Sequence, residues 1–322
     1  MRTPFEVSAC GKVILLGEHA VVYGRPALAV PVCGLRAWVR AEPLPKGSGC
    51  WIAALDLPET IRLSTAPPDH PLAMAVRLAL AHLGLPEPDL RLTLRSDLPI
   101  AGGLGSGASV SAALVRAIFR WAGRPADPEV VSALVYEVEK HHHGTPSGID
   151  NTVIAYERPI RFVRGQPPVL LSIARPFTLV IADSGIPSPT RETVAAVRMG
   201  WEREPERYER LFDAIAALVR EAEACLAAGR IEDLGPLLDA NHQLLQELGV
   251  SSHHLDHLVR IAREAGALGA KLTGGGRGGN LIALVRPEQA TSVAHALQAA
   301  GARAIYRTEI PATSPADPSS TR

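Results

Sequence analysis

"PIAGGLGSGASVSAAL", residues 99–114, places four glycines within nine residues and then passes into a run of alanine, valine, serine and leucine. Glycine loses more backbone entropy on folding than any other residue, so a loop this rich in it must need positive φ or close backbone approach. The segment that follows has helical spacing: Val110, Leu114, Ala117, Ile118 and Trp121 fall on one face, and Gly123 with Pro125 supplies a stop. A helix leaves its first N–H groups unpaired and carries partial positive charge at that end. A glycine loop leading into such an end suits an anion, most often phosphate. The pattern is neither the G-x-x-x-x-G-K-[ST] of a P-loop nor a G-x-G-x-x-G opening a βαβ unit. Glycine-rich turns also serve tight packing, and at this level both readings stand.

On the N-terminal side, "KVILLGE", "ALAVPVCGLRAWVRAE" and "LRLTLRS" read as strands punctuated by Gly24, Gly34 and Pro43. On the C-terminal side a second helix is expected from about residue 128 to 142, with Val131, Leu134, Val135 and Val138 as its apolar stripe. A strand-like "TLVIADSG" follows. Helical patterns then run over residues 208–226, 231–248 and 253–265, two strands ("AKLTGG" and "NLIALV") flank another glycine cluster, and "ARAIYRTEI" comes last after a helix near residues 289–299. The order predicts an α+β chain in two lobes. The expected domains are 1–175 and 176–310, with "PATSPADPSSTR" (311–322) as a loose tail.

The 322 residues are 47% apolar and 20% charged, with 33 basic against 33 acidic side chains. That balance excludes a disordered chain and the electrostatic footprint of a nucleic-acid binder, leaving a small-molecule partner. The first residues lack the apolar run of a signal peptide, and no segment approaches the roughly 20 apolar residues that span a bilayer. A soluble cytoplasmic protein without membrane or nucleic-acid partners is expected. Cys10, Cys33, Cys50 and Cys225 have no C-x-x-C spacing, which predicts reduced thiols rather than a zinc site or disulfide framework.

A second cluster, "EKHHHGTPSGIDN" (139–151), sets acids, a hydroxyl and glycines close together. Glu139 falls at the edge of the buried stripe, where it is either an ordinary helix boundary or a carboxylate for Mg²⁺. His141, His142 and His143 are consecutive and point apart, so solvated or capping roles suit them. Asp150 follows a Pro-Ser-Gly turn, a common place for a turn or N-cap aspartate. Lys12, Glu18 and His19 in "SACGKVILLGEHAVVYG" are each open between surface or core positions and active-site groups.

Together, "SACGKVILLGEHAVVYGRPALAV", "LPIAGGLGSGAS", "HGTPSGIDN" and "KLTGGGRGGN" occur in the order and approximate spacing of the GHMP kinase motifs, and the chain resembles that family from Ser8 to about Val285. Four ordered motifs are far more specific than any one of them, and the first and third are closest to the members that phosphorylate mevalonate. The resemblance implies an N-terminal lobe like ribosomal protein S5 domain 2, a ferredoxin-like C-terminal lobe and ATP between them. It implies ATP phosphates on Gly102, Gly103, Leu104, Gly105, Ser106, Gly107, Ala108 and Ser109, with Gly274, Gly275 and Gly276 of the second loop closing on them. It implies Mg²⁺ on Glu139 with Ser106, Asp150 as the catalytic aspartate and Lys12 beside it. Glu18, His19 and Thr190, with Lys12 and Asp150, match positions at the substrate. Mevalonate, giving 5-phosphomevalonate for isoprenoid synthesis, is the implied acceptor, and a homodimer is the family-based expectation. Other alcohols of the family (phosphomevalonate, homoserine, a sugar) and a non-catalytic ligand sensor are the alternatives.

Two departures from the family pattern stand out. Gly107 follows Ser106 where a second serine is usual, so the metal ligand falls to Ser106, Ser109 or water, or Glu139 acts with the phosphates alone. Arg277 interrupts the second glycine loop and Asn280 stands where cysteine is common; Arg277 either adds a phosphate contact or faces solvent.

Overall fold

The computed structural model describes residues 3–56, 59–99, 103–143 and 146–314. Gly102 of the first glycine loop and residues 315–322 of the expected tail lie outside them. The chain divides into two compact units, residues 1–12, 35–100 and 105–157 in the first and residues 13–34, 101–104 and 158–322 in the second. Neither unit is continuous along the chain: residues 13–34 and 103–104 fall with the C-terminal part. Strands β1 (Phe5–Leu16) and β2 (Ala27–Pro43) pass through both units.

In the first unit, β3 (Cys50–Ala54), β4 (Glu59–Arg62), helix α1 (Pro71–Leu83) and β5 (Leu90–Ser96) precede α2 (Ser106–Trp121), α3 (Pro128–His143) and α4 (Ile149–Tyr156). The later half of β2 pairs antiparallel with β5, which pairs parallel with β3, which pairs antiparallel with β4. Ala37, Val39 and Ala41 of β2 and Leu90, Leu92 and Leu94 of β5 are buried with the period of two that a half-covered sheet requires. Helix α2 is buried on most sides through small residues, Ala108, Ala112, Ala113 and Ala117 among them, and it packs against α1, α3 and α4. The sequence reading omitted α1 and α4. Asp150, read as a turn or N-cap residue, lies in the first turn of α4 behind Gly148.

The second unit adds β6 (Ile160–Phe162), β7 (Val169–Leu170), β8 (Phe177–Asp183), α5 (Thr190–Arg203), α6 (Pro205–Ala228), α7 (Leu234–Glu247), α8 (His253–Glu264), β9 (Gly269–Thr273), β10 (Asn280–Val285), α9 (Ala290–Ala299) and β11 (Ala304–Ile310). Its four-stranded sheet has the order β11-β8-β10-β9 with every pair antiparallel, the ferredoxin-like arrangement. Val180 and Ala182 of β8 and Leu281, Ala283 and Val285 of β10 turn one face toward Leu258 and Val259 of α8 and Val293 and Leu297 of α9. At the sheet edge α7 meets β9 backbone to backbone: a Cβ on Gly235 would stand 2.1 Å from Leu268 O, and one on Gly269 2.1 Å from Gly235 O. Residues 311–314 of the expected tail are tied down, since Thr313 and Ile173 exchange backbone hydrogen bonds. No helix among the described residues is long and apolar enough to cross a membrane. Cys50 and Cys225, expected as reduced thiols, are free and buried.

One polar cluster fixes α4 in the first unit. Glu157, in the left-handed region at φ 47° just past α4, accepts from Cys10 N–H (3.1 Å), Arg36 Nη2 (3.0 Å) and Arg116 Nη1 (2.5 Å). Burial acts to raise its pKa, but the two guanidiniums outweigh burial and hold it below the usual carboxylate range. Glu157→Gln should therefore destabilise the protein by roughly 2–4 kcal/mol at pH 7 in urea unfolding. Because the folded-state pKa is depressed, this stabilisation is present above the unfolded carboxyl's pKa and lost as pH falls through the folded one. The gap between wild type and variant should shrink in acid; a gap that ignores pH would contradict the ionic origin.

Candidate active site

In the first unit, Lys12 near the middle of β1 and Asp150 in the first turn of α4 form an ion pair, Nζ to Oδ1 2.8 Å. The lysine side chain is 3% exposed and the aspartate 32%, so the pair opens outward on its carboxylate side. Gly105 touches the same lysine. It caps α2 at φ 75°, and a Cβ there would come within 2.8 Å of Ile154 Cδ1 and 3.1 Å of Lys12 Cγ, so glycine is required twice over. The first intrahelical bond of α2 runs from Ser109 N–H to Gly105 O, leaving the N–H groups of Ser106, Gly107 and Ala108 at the helix end. N–H groups left over at a helix end can donate to an anion. Ser109, expected among them, has its hydroxyl 2.6 Å from Cys10 O and 2.9 Å from Gly105 O, so both its polar groups serve the fold. Leu104 is buried and offers only its backbone.

Glu139, on α3, is 8% exposed, and a Cβ on Gly107 would lie 3.6 Å from its Oε1. Burial, then the charge of Asp150, push its carboxyl up to about 7 against the pull of Lys12. Two acids sharing one ammonium in a desolvated place favour a cation, and their hard oxygens fit Mg²⁺. Ser106 is the hydroxyl in the first turn of α2, since Ser109 is committed.

In the second unit, His19 stands at φ 60°, ψ −50°, outside the favoured regions for a side chain of its size, with Nε2 3.1 Å from Gly275 O. That bond places the hydrogen on Nε2 and leaves Nδ1 as an acceptor. Burial lowers its pKa to about 4, with the charges of Lys271 and Arg277 acting in the same direction, so the ring is neutral at pH 7. Gly275 also abuts Thr190, where a Cβ would meet Oγ1 at 2.3 Å. Gly103 and Gly274 approach each other, a Cβ on Gly274 lying 3.7 Å from Gly103 O. Arg277 is exposed, at φ 56°; its N–H donates to Val250 O (2.8 Å) and its Nε to Gly249 O (3.3 Å). Asn280 is buried at the start of β10.

Glu18, expected at the substrate, is 1% exposed and ion-paired with the fully buried Lys271 of β9. Its carboxylate faces the interior, and its neighbour His19 is the residue that meets the loop. Sequence reading missed Lys271, although a lysine inside the apolar "GAKLT" of a strand is a signal that a buried partner exists. It also missed Asn241 and His242 of α7, both buried.

The family model for the GHMP kinases N terminal domain matches residues 71–158, and that for GHMP kinases C terminal matches residues 214–303. Mevalonate kinase of Thermococcus sibiricus is 35% identical over 319 residues, 92% of this chain and 94% of that protein. Mevalonate kinase of Pyrococcus horikoshii is 36% identical over 314 residues, 91% of this chain and 92% of its own. Among solved structures, L. major mevalonate kinase in complex with R-mevalonate matches with a TM-score of 0.84 at 29% identity, covering 96% of this chain and 97% of that one. Similarity of that extent runs through both matched domains, and the chain belongs to the mevalonate kinases of the GHMP kinase family.

Proposed function

We propose that the chain transfers the γ-phosphoryl group of ATP to the 5-hydroxyl of mevalonate, with Asp150 as the base. The Lys12–Asp150 pair beside the N-terminal end of α2 carries this reading. Oδ1 of Asp150 is engaged by Lys12, which leaves Oδ2 to take the hydroxyl proton. The freed oxygen forms a bond to the γ-phosphorus as the bond to the β-phosphate oxygen breaks, giving 5-phosphomevalonate and ADP. Lys12 balances charge on the reacting oxygen, and the N–H groups of Ser106, Gly107 and Ala108 hold phosphate oxygens. Such a transfer asks the protein chiefly for positioning and charge stabilisation. In the second unit, neutral His19 and Thr190 are assigned to the acceptor and the 274–279 loop to the phosphates. Glu139 and Ser106 would hold Mg²⁺, which would supply charge neutralisation to the phosphates.

ADP release measured with mevalonate, phosphomevalonate, homoserine and galactose in parallel tests the acceptor; turnover is expected with mevalonate, and a preference for another alcohol would overturn the assignment. Asp150→Asn should lower kcat by about 10²- to 10⁴-fold, the range for loss of a general base, while nucleotide affinity persists. Full turnover in that variant would remove Asp150 from the base role.

Gly107 has helical φ and space at its Cβ, so serine fits there and brings a hydroxyl toward Glu139. Gly107→Ser should lower the Mg²⁺ concentration for half-maximal rate several-fold. An unchanged metal requirement would show that no further ligand is wanted at this place.

A further inference from the structure

In the second unit two consecutive residues of α7 hold two different segments that bear on ligand. Asn241 Oδ1 accepts from Gly17 N–H (3.3 Å), the residue that turns β1 into the Glu18–His19 corner. His242 Nδ1 accepts from Leu272 N–H (3.4 Å) on β9, two residues before the second glycine loop. Asn241 and His242 are 0% and 2% exposed, so both side chains are enclosed by protein. With Nδ1 accepting, the ring hydrogen sits on Nε2 and is donated to Asp256 Oδ1 (3.1 Å), which also accepts from Ser251 Oγ (2.5 Å). The 249–251 segment is tied to the same loop, because Arg277 N–H donates to Val250 O and a Cβ on Gly276 would lie 2.0 Å from it.

The two held segments are joined to each other by the Glu18–Lys271 pair and by Thr273, whose hydroxyl accepts from Ile14 N–H (3.1 Å) and donates to Ile14 O (3.0 Å). Gly17 itself admits no side chain, since a Cβ would stand 2.5 Å from Ala27 Cα. The corner therefore has little room to move except by losing its hydrogen bond to α7. Polar groups this deep are costly without partners; Asn241 Oδ1 and His242 Nδ1 find theirs in backbone N–H groups of the two segments, while Asn241 Nδ2 has no hydrogen-bond partner among the described residues.

We propose that Asn241 and His242 are positioning residues, Asn241 setting the acceptor corner through Gly17 and His242 setting the phosphate loop through Leu272. The inference rests on the reading above that His19 serves the acceptor and the 274–279 loop serves ATP. Loss of one hydrogen bond should then be felt by one substrate. Asn241→Ala should raise the KM for mevalonate about tenfold without a matching rise for ATP, and His242→Phe should do the reverse. His242→Asn, which returns an acceptor near the place of Nδ1, should recover most of the ATP affinity. A merely structural role would raise both KM values together, in step with the loss of Tm.

Hydrogen–deuterium exchange on the full chain reads the same inference without substrate. Asn241→Ala should speed exchange in residues 17–20 and not in 271–279, and His242→Phe the opposite. Wild type that turns over another alcohol but not mevalonate would overturn the acceptor assignment, and the exchange pattern would still decide the positioning. Folded variants with wild-type KM values and exchange, or with both segments loosened equally, would overturn the inference.

Discussion

A buried ammonium constrains everything around the candidate site. Lys12 is almost wholly removed from water, which costs several kcal/mol for an unpaired ion, so β1 can cross the unit there only if an acid meets it. Asp150 does so from the first turn of α4, where the helix dipole also favours negative charge. The stem of that lysine fills the space that a Cβ at position 105 would need, and the residue capping α2 must therefore be glycine. At the other end of α4, Glu157 takes the N–H of Cys10, two residues before Lys12. One helix is thus fastened to one strand at both ends, and the N-terminal end of α2 is seated against the fastening.

The charge balance of this cluster explains its chemistry. Lys12 and Asp150 satisfy one another, which leaves Glu139 as the second carboxylate in a place that burial makes unfavourable for it. A divalent cation with phosphates offsets that penalty by adding positive charge next to Glu139, whereas an anion alone would add to it. The neutral His19 of the second unit is prepared for a different partner: with its proton fixed on Nε2 by Gly275, it presents an acceptor and no charge.

Much of this was legible in the sequence because it is local. The glycine-to-helix transition at residues 99–114 and the stripe that leaves Glu139 at a helix edge follow from a spacing of 3.6 residues, and the strands of the C-terminal sheet follow from short apolar runs bounded by turns. What escaped depends on partners far away in the chain. Glu18 looks like a site acid beside His19 until Lys271, 253 residues on, is seen to claim it. Ser109 looks like a phosphate ligand until Cys10 O is found against its hydroxyl. Asn241 and His242 look like ordinary polar residues of an amphipathic helix, because nothing in their neighbours shows that α7 faces two backbones rather than water. Helix α4 was missed for another reason: only eight residues long and entered through Gly148, it has no room for a periodic stripe.

Among the described residues, three other than glycine hold positive φ: His19, Glu157 and Arg277. Each such residue costs on the order of 1–3 kcal/mol and persists only where its surroundings determine it fully. Glu157 is held by its guanidiniums and by β1, His19 by Gly275 O, and Arg277 by Val250 O through its own N–H. All three lie in or directly against the segments that carry the candidate site, and none lies in the sheets that make the two cores. The strain is therefore placed where backbone direction matters more than stability. The polar side chains buried behind those segments are what keep it from relaxing.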